Sequence, residues 1–366
     1  MIKFFLPTTN VAGSWVRAIV ATLAIASGAC AATDSILDPV TGTKYSSTPA
    51  MQKVLKALPT LGGKPIETLT PAQARLQPTI ADAVKAVLTA EGKDSSPEKL
   101  VAGITAIDIT IPGPATALAG RVYTPAGKGP FPVVVYFHGG GWVIASKEVY
   151  DGGARGLAKA ANSIVVSVDY RRAPEAKFPA AWDDALAAYK WVSKNAGSWN
   201  GDARNLALAG ESAGGNLALS TAVSAIAAGL ITPKAIIAVY PVAQTGNLMT
   251  ASYVDCATAK PLNKAMIGWF VDKLLASPGD KENPRLDVIH ANLTGLPPVT
   301  IINAQIDPLR SDGELLEQKL RAAGVPVVRK VFAGVTHEFF GTAAVVPEAM
   351  SAQVFAGERL KSAFKK

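Results

Sequence analysis

One short stretch changes its period abruptly. Residues 205–209 read as a buried strand, residues 215–228 are rich in Ala and Leu as a packed helix would be, and Gly210-Glu211-Ser212-Ala213-Gly214 lies between them. A strand that passes through a glycine-flanked turn straight into a helix requires a sheet with helices packed on it, which is an α/β architecture. The turn also dictates what its central residue can do. Glycines at 210 and 214 let neighbouring backbone approach where a side chain would collide, and Ser212 is held in a strained conformation with its hydroxyl turned outward.

The rest of the chain agrees with that architecture. Strand patterns occur at residues 104–111, 120–124, 132–137, 164–169, 205–209, 234–240, 299–304 and 327–332, with helical patterns alternating in the later part. They predict an eight-stranded, mostly parallel sheet. With 366 residues and 49% hydrophobic content the chain can bury a large core. Thr79 to Leu88 places Ile80, Val84, Val87 and Leu88 on one helical face. No internal repeat and no long low-complexity segment interrupts the pattern.

A serine nucleophile needs a base to take its proton and fixed donors for the oxyanion it generates. The donors are found at residues 131–137, a strand pattern that runs into His138-Gly139-Gly140-Gly141-Trp142. Glycines after a strand leave N–H groups bare, and the amide of Ala213, next to the serine, adds another. No Lys-Ser or Lys-Thr follows these glycines, and the dinucleotide spacing breaks at Ile144, so a phosphate-cradling loop is excluded.

The base must be one of three histidines. His138 belongs to the glycine loop, where a structural job is expected, and His290 lies in a polar stretch with no strand leading into it. His337 follows the strand pattern at 327–332 and a turn at Gly334, which puts an imidazole at the carboxyl end of a sheet strand. The carboxylate that orients it is expected between serine and histidine in the chain. Asp307 lies in the segment 305–309 that directly follows the strand at 299–304; Asp312 is expected to face solvent or cap a helix, and Asp255, Asp272 and Asp280 to be solvated.

Other classes of function find little support. There are 36 basic and 28 acidic residues, a net charge of +8, but no Lys/Arg run is longer than a pair such as Arg171-Arg172 or Lys365-Lys366. Nucleic-acid binding needs a clustered basic face or stacking aromatics, and a metal site needs ligand spacing that three scattered histidines do not offer. No cofactor is called for. Near the start, Lys3 and Arg17 are the only charges, Ala18 to Ala26 form an apolar core too short for a bilayer, and Ala29-Cys30-Ala31 has the small residues of a cleavage site. Residues 1–31 are therefore expected to be an export signal for a periplasmic or secreted protein. Lipid attachment at Cys30 is the alternative, and the only route to a membrane. After cleavage Cys256 would be the single cysteine, expected as a buried, inert thiol.

Taken together the motifs resemble the hormone-sensitive-lipase-like family of α/β-hydrolases, the bacterial family IV esterases, over residues 101–341. The likeness is carried by the His138 to Trp142 loop, Asp169-Tyr170-Arg171-Arg172-Ala173-Pro174-Glu175 with Phe178-Pro179-Ala180-Ala181, the Ser212 turn, Asp307-Pro308-Leu309-Arg310, and His337. The resemblance implies an α/β-hydrolase fold with Ser212 as nucleophile, His337 as base and Asp307 as its orienter. Gly140, Gly141 and Ala213 become the oxyanion donors, with Gly139 completing the hole. It further implies that residues 32–100, a linker followed by helices, join an insertion at about 244–285 as a helical cap on a catalytic domain spanning 101–366. Short-chain esters would be the substrates, small molecules handled alone or by a homodimer. An acyltransferase or amidase would share the same residues, and a non-catalytic binding protein would normally have lost one of them. Four positions depart from the family pattern: Arg172 for an apolar residue, Glu211 for Asp or Thr, Ser311 for an acidic residue and Glu338 for glycine. None is expected to touch a catalytic atom.

Overall fold

The apolar runs that show no alternation in sequence lie side by side in the middle of one sheet. Parallel strands covered by helices on both faces bury every side chain, so a period of two has no solvent side to report. The computed structural model describes residues 37–365. The expected leader and Cys30 lie outside the described residues.

Eight strands form the sheet: β1 (Ile104–Pro112), β2 (Ala117–Pro125), β3 (Phe131–Phe137), β4 (Ile164–Asp169), β5 (Gly201–Glu211), β6 (Ile236–Val239), β7 (Val299–Ile306) and β8 (Val327–Thr336). Their spatial order is β1-β2-β4-β3-β5-β6-β7-β8. The pairs β1/β2 and β2/β4 are antiparallel and all the others parallel. Every expected strand is present, but several ends differ. β2 begins at Ala117, earlier than expected, because the hairpin carries pairing out to Pro112. β8 runs on to Thr336 because Ile306 of β7 pairs with it across a register shift. Ladder partners, not apolar runs, set these ends.

Alternation survives as a division between two cores. Val133, Val135, Phe137, Leu206 and Leu208 face one layer with helices Ala180–Asn195, Ala213–Ala227 and Arg310–Ala322. Val134, Tyr136, Ala207, Ala209 and Ile302 face the other, with helices Pro49–Thr60, Ile80–Ala90, Asp151–Ala161 and Pro347–Phe364. The face expected for Ile80, Val84, Val87 and Leu88 is buried, and the helix is capped reciprocally by Thr79 and Asp82. The carboxyl ends of β3, β5, β7 and β8 deliver four loops to one edge of the sheet, where α/β sheets place their sites.

Candidate active site

Ser212 has φ 57° and ψ −117°, a positive-φ backbone geometry for a non-glycine residue. The flanking glycines make it possible. A Cβ on Gly210 would lie 2.1 Å from the Gly214 carbonyl oxygen, and one on Gly214 would lie 2.0 Å from that of Phe137. The strained turn is pinned by the Ser212 amide, which donates to the Val239 carbonyl at 2.8 Å. Strain at such a point is held by the surrounding sheet and helix.

Above the turn, Nε2 of His337 lies 3.0 Å from Ser212 Oγ. On its far side, Nδ1 lies 2.8 Å from Oδ2 of Asp307, whose other oxygen accepts from the Leu309 amide at 2.8 Å. All three side chains are buried, Asp307 completely. Burial opposes an imidazolium at His337, but the Asp307 carboxylate and the nearby Glu338 and Glu211 outweigh it and raise the imidazole above its ordinary value. The Asp307 loop is braced by an exchange: the Ser252 amide donates to Ser311 Oγ at 3.0 Å and the Ser311 amide to Ser252 Oγ at 2.9 Å. Ser311, one of the four departures, thus has a definite partner.

The glycine loop meets the serine from the end of β3. Gly140 and Gly141 have φ of 96° and 59°, and within the described residues the amides of Gly140, Gly141 and Ala213 donate to no protein acceptor. Gly139 has a different setting: a Cβ there would lie 2.3 Å from the Tyr150 hydroxyl oxygen. Its carbonyl is approached by His138 Nδ1 at 2.7 Å and accepts from the Tyr170 hydroxyl at 3.3 Å. His138, fully buried, stacks on Tyr170 with ring centroids 4.4 Å apart and has Nε2 3.3 Å from Asp169, so its job is to hold the loop. Arg172 donates to the Ala145 carbonyl and braces the same loop. His290 is exposed beside Asp287, 2.7 Å away.

Several partners had no sequence signal. Arg75 donates to the Val143 carbonyl at 2.8 Å, the Ala173 carbonyl at 2.8 Å and both oxygens of Glu175, tying the N-terminal region to the two segments that frame the glycines. Trp269 Nε1 donates to the Leu69 carbonyl at 3.2 Å, and Phe270 rests on Gly141. Asp312 corrects an expectation. It is fully buried and accepts from the amides of Ala243 at 2.9 Å and Gln244 at 3.3 Å, and burial raises its carboxyl to about 7. Asp255 is also less free than expected, paired with Lys44 at 2.8 Å and accepting from Tyr45 at 3.0 Å. Cys256 is buried as expected, and burial raises its thiol to about 11.

A family model described as the α/β-hydrolase fold matches residues 134–341. The chain belongs to that family. This α/β-hydrolase is of the hormone-sensitive-lipase-like type and is a carboxylic ester hydrolase, like its relatives. It is 39% identical over 239 residues to carboxylesterase NlhH of Mycobacterium tuberculosis, 63% of this chain and 74% of that one. With esterase LipI of the same organism it shares 38% over 254 residues, 67% and 78% of the two chains. Among solved structures, a thermostable esterase from Pseudomonas putida ECU1011 superposes with a TM-score of 0.75 at 32% identity, covering 87% of this chain and 97% of that one. An esterase from Pyrobaculum calidifontis gives 0.73 at 35%, covering 81% and 94%.

Proposed function

We propose that this α/β-hydrolase cleaves its esters through a covalent acyl-enzyme on Ser212. The Ser212–His337–Asp307 relay, with contacts of 3.0 and 2.8 Å, carries the reading. Ser212 Oγ attacks the ester carbonyl while His337 Nε2 takes its proton, and the imidazolium then delivers that proton to the departing alcohol. Asp307 holds the ring with Nδ1–H toward itself, so that Nε2 is the atom facing the serine. The amides of Gly140, Gly141 and Ala213, with Gly139 shaping the loop, receive the negative charge of the tetrahedral intermediate. In the second half-reaction a water enters by the same route and His337 acts as base again.

Short acyl groups are the preferred substrates. Phe270 supports this, because its ring lies directly on Gly141 and limits the room above the oxyanion loop. The N-terminal region and the insertion that carries Trp269 and Phe270 act together as the cap, a reading supported by the Trp269–Leu69 bond and by Asn263 Nδ2 donating to Glu67 at 3.0 Å. The substrate is a small ester, and the enzyme is exported after loss of residues 1–31; N-terminal sequencing of protein from the periplasm or medium tests the cleavage point. Ser212→Ala should abolish turnover of p-nitrophenyl acetate in a protein that keeps its circular dichroism spectrum. Retained turnover would remove the assignment.

A further inference from the structure

Besides Asp307, two carboxyl side chains adjoin the relay, and its chemistry uses neither. Glu211 precedes the serine and is buried; Glu338 follows the histidine and is half-buried. Asp307 already orients the imidazole. Each extra carboxyl is nevertheless held by phenols from separate elements: Glu211 accepts from Tyr136 of β3 and from Tyr240 beyond β6, and Glu338 accepts from Tyr150 at 3.2 Å.

Geometry connects these groups to both halves of the machinery. The Tyr240 ring centroid lies 4.5 Å from that of His337. The Tyr150 hydroxyl is the atom that a Cβ on Gly139 would strike, so Glu338 reaches the back of the oxyanion loop through a single phenol. Glu338 also has φ 64°, a conformation that glycine adopts freely and a glutamate adopts under strain. A partly desolvated acid in a strained position is doubly unfavourable for folding.

We propose that Glu338 is a positioning residue for ester hydrolysis: through Tyr150 it joins the loop carrying the base to the loop carrying the oxyanion donors, and with Glu211 it supplies negative charge that stabilises the imidazolium formed when Ser212 loses its proton. The inference rests on the assignment of His337 as base. Asp307 from the loop after β7, Ser212 from the end of β5 and Tyr240 from the end of β6 contact the imidazole, and the charges of Glu211, at the end of β5, and of Glu338, in its own turn, act on it, with Tyr150 bonded to Glu338 and Tyr136 to Glu211. Burial raises the three phenols well above their ordinary range, so they remain donors at working pH. Loss of solvent also raises both carboxyls, Glu211 to about 7 despite its two phenol donors, and Glu338 against the pull of His337 and Tyr150. Where they are ionised, they favour a proton on His337.

The test is the pH profile of kcat and kcat/KM for Glu338→Gln, Glu338→Gly and Tyr150→Phe on p-nitrophenyl acetate. Glu338→Gly also relieves the positive φ, so it keeps the test available if the glutamine variant folds poorly. Both Glu338 variants should move the acid limb of kcat/KM downward by about half a pH unit or more. Plateau kcat should fall about threefold or more with little change in KM. Tyr150→Phe should lower kcat and leave KM nearly unchanged. An acid limb that stays in place in active Glu338 variants, or a fall equal at every pH, overturns the inference while leaving the serine mechanism standing. Turnover that survives Ser212→Ala or His337→Ala would instead remove the reading beneath it.

Discussion

Phe270 and Gly141 are in such close contact that a Cβ on the glycine would lie 2.3 Å from Cγ of the phenylalanine ring. The contact joins the helix Lys264–Leu274 to the loop proposed to bind the oxyanion. Phe270→Ala should raise the rate on hexanoate and octanoate esters relative to acetate, and should destabilise the protein by about 2–4 kcal/mol. Gly141→Ala meets both the ring and a left-handed φ, and should lower kcat by about 100-fold or more. An unchanged acyl profile in Phe270→Ala would refute the role given to this ring; rates over an acyl series and a denaturant titration provide the readings.

In the proposed relay Asp307, 2.8 Å from Nδ1 of His337, fixes which imidazole nitrogen carries the hydrogen. In Asp307→Asn the amide can present its N–H₂ to Nδ1 and favour the wrong tautomer. The expected loss in kcat is about 10³–10⁴-fold, with KM changing much less. A variant within about tenfold of the parent would show that Asp307 is not the orienter.

Arg75 is a long-range brace whose contacts reach the backbone of residues 143 and 173 and the side chain of Glu175. Its pairing with Glu175 is partly exposed and contributes little by itself, whereas the two carbonyls lose donors that water must replace. Arg75→Ala should lower kcat/KM on short esters about tenfold and stability by about 1–3 kcal/mol. Arg75→Lys should recover little, because an ammonium cannot span the same acceptors. Full activity in both variants would separate this brace from the glycine loop.

Asp312 lends itself to a stability measurement. Its carboxyl is raised from 3.8 to about 7 by burial, opposed by the amides of Ala243 and Gln244. The folded state therefore binds the proton more tightly than the unfolded chain does, and Asp312 contributes most stability below about pH 4 and loses it as pH rises through about 7. An amide in its place would not titrate. The stability of Asp312→Asn relative to the parent should thus increase between about pH 4 and 7 and level off above, by a total on the order of 4 kcal/mol. A difference that is constant with pH would contradict the buried-acid description.

Much of the candidate site was legible because its parts are local. Ser212, Asp307 and His337 each lie just beyond a strand, and the strand, turn and glycine signals are written close by in the chain. The glycine loop is equally local. What sequence did not disclose depends on distant partners: Trp269 meets Leu69, 200 residues away, and Arg75 meets Glu175, 100 residues away. Asp312 had the pattern of a helix cap, yet the amides it accepts from belong to Ala243 and Gln244, 69 and 68 residues earlier. Tyr136 reads as one more core residue of β3, and only the folded sheet shows that its hydroxyl holds Glu211. Polar side chains aimed inward have no periodic signature, since periodicity records burial and not what is bonded inside.

The proposed mechanism requires a covalent bond between the acyl group and Ser212, and trapping that species decides whether it forms. The enzyme is mixed with a p-nitrophenyl ester, quenched in acid during turnover, and its intact and peptide masses are read, with His337→Ala and Ser212→Ala treated alongside. The expected result is one acyl group on the peptide containing Ser212, with release of p-nitrophenol preceding deacylation, and no adduct in Ser212→Ala. An acyl group on another residue, or continued turnover in Ser212→Ala, would contradict the mechanism.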